Sequence, residues 1–475
     1  MSLVDIKTKQ QQAEIDAVFE LQKANRFAVA RTTVRERREK LDRLKKALFR
    51  YQQDFRDALY ADFNKHQMEV DLTELFTVKD EINYVKKNLG RWMTPKRVEK
   101  TLLLIGSSSY IHYEPKGMAL ILAPWNFPVL LTLGPLISAI AAGNCVMLKP
   151  SEFVPHTGAV MKKMLDELFP REEVYLMEGD LHLAQNLLKK PFNHIFFTGS
   201  PAVGKRVMKA ASEHLASVTL ELGGKSPGII DASADIPMTA LRIAWGKCVN
   251  KGQVCVAPDN LWVHESVAGP FLAAFKLAVT KFYGDSPKES SDYARIVDER
   301  HFQRLKITLE EALDRGASVE LGGELDPSEN YISPTLLGNV PLDSRIMKEE
   351  IFGPILPFRT FKDLEEPIQF LRDQPHPLAL YFYSRNKKNI RKFIRETRAG
   401  TTAINENNLH FFHNRLPFGG FNESGIGNGH GYSGFMEFTN SRAVYKQGWP
   451  DLLPLITPPY SKFKKRLAEL ILRWL

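Results

Sequence analysis

Cysteine is scarce. The 475-residue chain has three, Cys145, Cys248 and Cys255, and none belongs to a C-x-x-C pair. An odd number cannot pair fully within one chain, so disulfide scaffolding and cysteine-rich metal sites are disfavoured and a reducing compartment fits. One reactive thiol stays open as a reading. Long apolar runs are missing too: nowhere do about 18 uninterrupted apolar residues occur to cross a bilayer. The opening MSLVDIKTKQQQAEIDAVFE is polar, with no signal-peptide core. Repeats at a fixed period and low-complexity tracts are absent. These absences lead to the expectation of a soluble, cytoplasmic protein.

Hydrophobic residues make up 44% and charged residues 25%, the ordinary globular range, while the length exceeds one compact core and implies two or three domains. The net charge is +9, but basic residues interleave with acids, as in VRERREKLDRLKK. That texture is a solvated helix face, and no nucleic-acid partner is expected.

Leu41, Leu44, Leu48 and Tyr51 recur at helical spacing, and a second helical run covers about 72 to 90 until Trp-Met-Thr-Pro stops it. Residues 108–125, SSYIHYEPKGMALILAPW, alternate and then run apolar, which suggests a strand pair followed by a buried strand. Apolar runs then alternate with helical segments (NCVMLKP, MKKMLDELF, VYLMEGD, LAQNLLKK, HIFFTGS, VTLELGG), the pattern of a parallel α/β sheet. A second such set begins near residue 228.

GSPAVGKR at 199–206 has the skeleton of a phosphate-binding loop, but Arg206 stands where a Mg²⁺-binding hydroxyl is needed, so a nucleotide triphosphatase is disfavoured. What remains is a helix N-terminus after a strand, suited to a pyrophosphate or a tight connection. GHGYSG at 429–434 follows no convincing strand and is read as a loop. In ILAPWNFP, prolines fix the backbone around Asn126, whose amide can serve an oxyanion or simply a turn. In LELGGKSP, Glu221 ends an apolar strand, where desolvation lifts a carboxylate toward the range of a general base. In NKGQVCVAPDN, Cys255 sits in a stretch that reads as exposed, bent backbone, with Lys251 or a helix N-terminus placed to lower its pKa.

Together APWNFP, LKPSE, FTGSPAVGK, LELGGKSP, GQVCVAPD, EEIFGPILP and LPFGG, in this order, resemble the aldehyde dehydrogenase superfamily over residues 15 to 450. Trp245, ten residues before Cys255, and the short N-terminus look most like its class-3 branch for fatty and aromatic aldehydes. The resemblance implies an α/β fold with a Rossmann-like NAD(P)-binding domain (1–96 and 118–221), a catalytic α/β domain (222–420) and a small β oligomerisation arm (97–117 and 421–450), followed by a tail (451–475). It implies a homodimer that oxidises an aldehyde to the acid through a cysteine thiohemiacetal and a thioester, with no metal. Cys255 is then the nucleophile, Asn126 the oxyanion donor and Glu221 the base. The resemblance puts Lys149 and Glu152 on the adenosine ribose, and Ser200 near the pyrophosphate beside Gly199 and Gly204. Glu350 and Phe352 fall near the nicotinamide ribose, with Trp125 also in the cofactor site. Lys149 suits a 2′-phosphate while Glu152 repels one, so NAD is expected, with NADP usable. Two positions depart from the family: Phe421 and Asn422, where it is glycine- and serine-rich, put the substrate-side loop shape in question, and Lys251 stands where small residues are usual.

An acylating dehydrogenase is the main competitor, and Glu221 argues for hydrolysis instead. A cysteine hydrolase lacks a histidine placed by any motif, and a non-catalytic protein has no need of Asn126, Glu221 and Cys255 together. In the tail, Phe463, Leu467, Leu470, Ile471 and Trp474 share one helical face, with Lys462, Lys465, Arg466 and Arg473 elsewhere. Such a helix lies on an anionic membrane or docks on its own subunit or a partner; both stay open.

Overall fold

The computed structural model describes residues 3–100 and 104–474, so 101–103 of the arm segment lie outside the described residues. The apolar runs become strands covered on both faces: Met118–Leu122 and Cys145–Lys149 are buried at every position, as strands between two helical layers must be. They belong to a sheet ordered Gly425–Ile426, Ser217–Leu222, His194–Gly199, Met118–Leu122, Cys145–Lys149, Val174–Leu176. All are parallel except Gly425–Ile426, which runs antiparallel beside Leu220 and Glu221. From Met118–Leu122 the chain first winds outward to Val174–Leu176 and then returns to build the other side. Strand order therefore reverses between Met118–Leu122 and His194–Gly199, and the crevice at their carboxyl ends is where such sheets take ligands.

A second sheet is ordered Ser318–Leu321, Thr335–Gly338, Ile355–Phe361, Asn260–His264, Pro227–Ile230, Ala379–Tyr383, Thr401–Ile404. It is parallel apart from Ser318–Leu321. The third sheet is antiparallel, with Ser108–Pro115 between Lys96–Arg97 and Thr439–Lys446.

Two sequence readings need correction here. The alternating stretch from residue 108 is one strand, not a pair; its partners come from residues 96–97 and 439–446. Its half-buried pattern suits a sheet with a wet face, a different environment from the sealed Met118–Leu122. GHGYSG, read as a loop, opens the helix Gly431–Glu437. Of segment 421–450, Thr439–Lys446 joins the small sheet, whereas Gly425–Ile426 belongs to the six-stranded one.

The helical spacing of Leu41, Leu44 and Leu48 resolves as Val34–Arg50, whose start is fixed by a capping box: Glu36 N donates to Thr33 Oγ1 at 3.3 Å and Thr33 N to Glu36 Oε2 at 2.6 Å. Phe76–Met93 follows a π turn over Val70–Leu75, and Thr94 turns extended before Pro95. The apolar helix Pro128–Ala142 begins two residues after Asn126 and is held at its N-terminus by a buried pair. Glu74 Oε2 accepts from Val129 N (2.8 Å) and Leu130 N (3.2 Å), and Glu74 Oε1 from Lys65 Nζ (2.8 Å). Both side chains are fully buried, and the ammonium lies 4.0 Å from the centre of the Phe127 ring. Among the described residues no helix is long and apolar enough to cross a membrane.

Glu74→Ala strands the Lys65 ammonium and two amides. A stability loss of about 3–5 kcal/mol is expected, read by urea unfolding; a loss below about 1 kcal/mol would show that the pair does not anchor this helix.

Candidate active site

After the helix Ile236–Cys248 the backbone passes through Asn250, Lys251 and Gly252 with φ of 47°, 57° and 69°. Three consecutive left-handed residues are costly outside glycine, so the turn must be held. Glu69 Oε2 accepts from Asn250 N at 3.0 Å, and burial raises this carboxyl to about 7. Gln253, fully buried, does most of the tying: Nε2 donates to Asn250 O and Arg295 O (both 3.1 Å), and Oε1 accepts from Val297 N (3.1 Å). Its backbone carbonyl accepts from Asn126 Nδ2 (3.0 Å) and Asn250 Nδ2 (3.2 Å), while Asn250 Nδ2 also reaches Asn126 O (3.0 Å). One N–H of Asn126 is thus spent on orientation and the other remains.

The bend expected around Cys255 is present, but the exposure is not. Asn250, Lys251 and Gln253 are fully buried and Cys255 is half-buried. Lys251 does not serve the thiol either. Its Nζ donates to Ala294 O at 3.2 Å and sits 4.3 Å from the ring centres of Tyr293 and Tyr331, and burial drives its pKa well down. Its long side chain points away from the thiol because the left-handed turn sends it into that aromatic box.

Burial dominates the electrostatics. The Cys255 thiol is pushed up to about 12, first by desolvation and then by Glu350 and Glu221, against the opposing amides of Cys255 and Val256. Glu221, at the end of Ser217–Leu222, is raised to about 8 by desolvation; Gly429 N donates to its Oε1 at 3.1 Å and opposes the shift. Its Oε2 is buried without a partner. Glu350 is likewise raised to about 8 by burial and by Asp259. A Cβ on Gly223 would lie 2.0 Å from Glu350 Oε2, so only glycine lets this carboxylate approach the backbone.

A cleft of about 660 Å³ opens at the point where strand order reverses. Asn126, Glu221, Cys255, Trp125, Gly199, Ser200, Glu350 and Phe352 line it, with Trp125 edge-on to Phe352 at 5.4 Å. Lys149, Glu152 and Gly204 are not among its lining residues. Lys149 ends the strand Cys145–Lys149 and donates to Glu152 Oε2 at 2.5 Å. Gly204 lets its helix close on Leu222, whose Cδ2 would be 2.7 Å from a Cβ there. Two narrow apolar cavities also reach Cys255. One, about 60 Å³, is lined by Phe76, Leu130, Phe411, Phe418, Glu221 and His430; the other, about 40 Å³, by Phe127, Trp245, Phe411 and Phe412. Cys255 therefore lines the large cleft and both small apolar cavities. Phe421, one of the two residues that put the substrate-side loop shape in question, packs edge-on against His376, which lines the large cleft. No group of three metal-ligating side chains is found among the described residues. Sequence reasoning passed over Glu69, Asn250, Gln253 and Gly429; Gln253 lay inside a quoted motif, whereas nothing local marks Glu69.

Residues 3–444 match the aldehyde dehydrogenase family model. Mouse aldehyde dehydrogenase family 3 member A2 is 38% identical over 457 residues, 96% of this chain and 93% of that protein. A substrate-bound structure of Staphylococcus aureus AldH superposes with a TM-score of 0.92 at 40% identity, covering 96% of this chain and 99% of that one. An NAD⁺ complex of a Bacillus cereus aldehyde dehydrogenase gives 0.84 at 26% identity, covering 92% and 89%. The chain belongs to the aldehyde dehydrogenase family. It is an oxidoreductase that converts aldehydes to carboxylic acids.

With the thiol held near 12, alkylation of Cys255 by iodoacetamide in the ligand-free enzyme should climb steadily with pH from 6 to 10. Peptide mapping would check it, and a plateau by pH 8 would contradict the desolvated thiol.

Proposed function

We propose that the enzyme oxidises medium- or long-chain aliphatic or aromatic aldehydes with NAD, using Cys255 as nucleophile, Asn126 as oxyanion donor and Glu221 as hydrolytic base. The observation that supports this most is that Cys255, Asn126 and Glu221, whose Oε2 has no partner, line one cleft, with an apolar cavity beside Cys255 and Glu221. The Cys255 thiol first loses its proton to solvent, and the thiolate attacks the aldehyde carbon to give a thiohemiacetal. The free N–H of Asn126 and the Cys255 amide hold its oxyanion, in a site dry enough for such donors to count. The nicotinamide, when bound, supplies the acceptor for the hydride lost from that carbon. Glu221 then takes a proton from water, which attacks the thioester and releases the acid and the thiolate. Ionised Glu221 is the active form, so hydrolysis should gain as pH rises through about 8 and fade below it.

The residues fit a dinucleotide. The cleft is of cofactor size. Ser200 caps the helix Pro201–Ser212, whose positive end suits a pyrophosphate. Lys149 and Glu152 would hold the adenosine ribose, Glu350 and Phe352 the nicotinamide ribose, and Trp125 and Gly199 the walls. Glu152 already engages Lys149, the cation that a 2′-phosphate requires, which favours NAD over NADP. The aromatic residues Phe127, Trp245, Phe411 and Phe412, which line the smaller cavity at Cys255, favour apolar aldehydes.

On this reading residues 1–96 and 118–221 form the cofactor domain and 222–420 the catalytic one. Of the arm expected from 97–117 and 421–450, Ser108–Pro115 and the exposed strand Thr439–Lys446 form the part that bridges two subunits of a cytoplasmic homodimer, while Gly425–Ile426 stays with the six-stranded sheet. The tail helix Lys462–Trp474 leaves Phe463, Leu470 and Leu472 exposed, and makes peripheral contact with anionic membrane; the side chain of Trp474 lies outside the described residues.

Cys255→Ala should abolish aldehyde oxidation, and Asn126→Ala should lower kcat by roughly 10²–10³-fold. Glu221→Gln should keep the first burst of NADH while steady turnover falls roughly 10²–10⁴-fold; loss of the burst would remove Glu221 from the hydrolytic step. A kcat/KM higher with NADP than with NAD would overturn the cofactor preference. Removal of residues after Pro459 should end binding to anionic vesicles, and unchanged binding would dismiss the membrane contact.

A further inference from the structure

A fully buried lysine is uncommon, and Lys251 sits shortly before the nucleophile, in the middle of the left-handed run Asn250–Gly252. We infer that Lys251 is a positioning residue: it clamps the thiol turn to the segment 293–297 and so keeps the Gln253 carbonyl, and the Asn126 amide bound to it, aimed for the oxyanion. The inference rests on Asn126 being the oxyanion donor.

Segment 293–297 receives the turn at three points. Lys251 Nζ donates to Ala294 O at 3.2 Å, Gln253 Nε2 donates to Arg295 O at 3.1 Å, and Val297 N donates to Gln253 Oε1 at 3.1 Å. Side chains 251 and 253 thus grip one stretch of main chain from either side of Gly252. The lysine end is enclosed. Nζ lies 4.3 Å from the ring centres of Tyr293 and Tyr331, both buried, and such faces attract its N–H groups. The two rings meet edge to face at 6.1 Å, Tyr283 lies 4.8 Å from Tyr293, and Tyr293 Oη donates to Ile332 O at 3.2 Å, so the walls of the box are fixed. On Tyr331 the box is backed by Arg295, 5.4 Å from the ring centre and held by Glu329 at 2.9 Å. Protonated or neutral, the amine keeps an N–H for Ala294 O.

The neighbouring residues cannot replace this clamp. Gly252 has no side chain, and Asn250 is engaged elsewhere: its N–H by Glu69, its Nδ2 by the carbonyls of Asn126 and Gln253. Left-handed backbone is unfavourable for any residue but glycine, so an unclamped residue 251 relaxes toward ordinary φ. That rotation carries Gly252 and Gln253 with it and displaces the carbonyl that receives Asn126 Nδ2 at 3.0 Å. The second N–H of Asn126 then misses the oxyanion.

Lys251→Met retains the apolar stem in the box and deletes the donor. Single-turnover NADH formation, with NAD and enzyme in saturating excess over aldehyde, reads the step in which the oxyanion forms and collapses, and an inactive fraction of enzyme does not lower its rate. Asn126→Ala should slow it roughly 10²–10³-fold, and Lys251→Met about tenfold. The double variant should fall no more than about threefold below Asn126→Ala, because a clamp that acts through Asn126 has nothing left to aim. Should Lys251→Met fail to fold, Tyr331→Leu, which opens one wall of the box and leaves the turn's own residues intact, takes its place in the cycle with the same expectation. Losses that multiply in the double variant overturn the inference, and so does a wild-type rate for Lys251→Met. If Asn126→Ala itself runs at the wild-type rate, the oxyanion assignment falls and takes the clamp with it; multiplied losses beside a slow Asn126→Ala bring down the clamp alone.

Discussion

Gln253 carries the geometry on which the site depends. Its side chain is saturated by backbone partners at residues 250, 295 and 297, and its own carbonyl receives the Asn126 amide. One buried residue thereby joins the thiol turn, the segment after residue 294 and the end of the first apolar strand. Buried amides are expensive to leave unpaired, so the arrangement is close to all-or-none. The strained run Asn250–Gly252 persists because this net and Glu69 over-determine it.

Around that frame the chain keeps charge out of water. Glu69, Glu81, Glu221 and Glu350 are all lifted by burial to about 7 or 8, and the thiol stands higher still. Burial is the leading cause at each, and each also has its own acidic neighbour: Asp292 for Glu69, Asp80 for Glu81, Glu437 for Glu221 and Asp259 for Glu350. The ligand-free site is therefore weakly charged, and its acids sit where neutral pH can move their protons. Glu81 completes the loop that positions Glu221: Gly431 N donates to Glu81 Oε1 at 2.7 Å, two residues from the amide on Glu221.

The family, the parallel sheets and the strand-helix rhythm were legible in the sequence because each is local: motif order, apolar runs and glycine spacing. Cys255 was conspicuous for the same reason. What stayed hidden depends on distant segments meeting. Glu69 is separated from Asn250 by 181 residues, and Gly429 from Glu221 by 208. GHGYSG looked like an unattached loop since its partners, two buried carboxylates, come from elsewhere in the chain. Lys251 misled because proximity in sequence to Cys255 was taken as proximity of charge, whereas the left-handed turn sends the ammonium into an aromatic box.

The same turn has a mechanical consequence. A Cβ on Gly252 would stand 2.4 Å from the carbonyl of Gly353, so the thiol-bearing loop and the segment carrying Glu350 and Phe352 touch main chain to main chain. No side chain is interposed to act as a cushion. The wall of the large cleft and the nucleophile thus shift as one rigid piece, and remodelling either for new specificity drags its neighbour along.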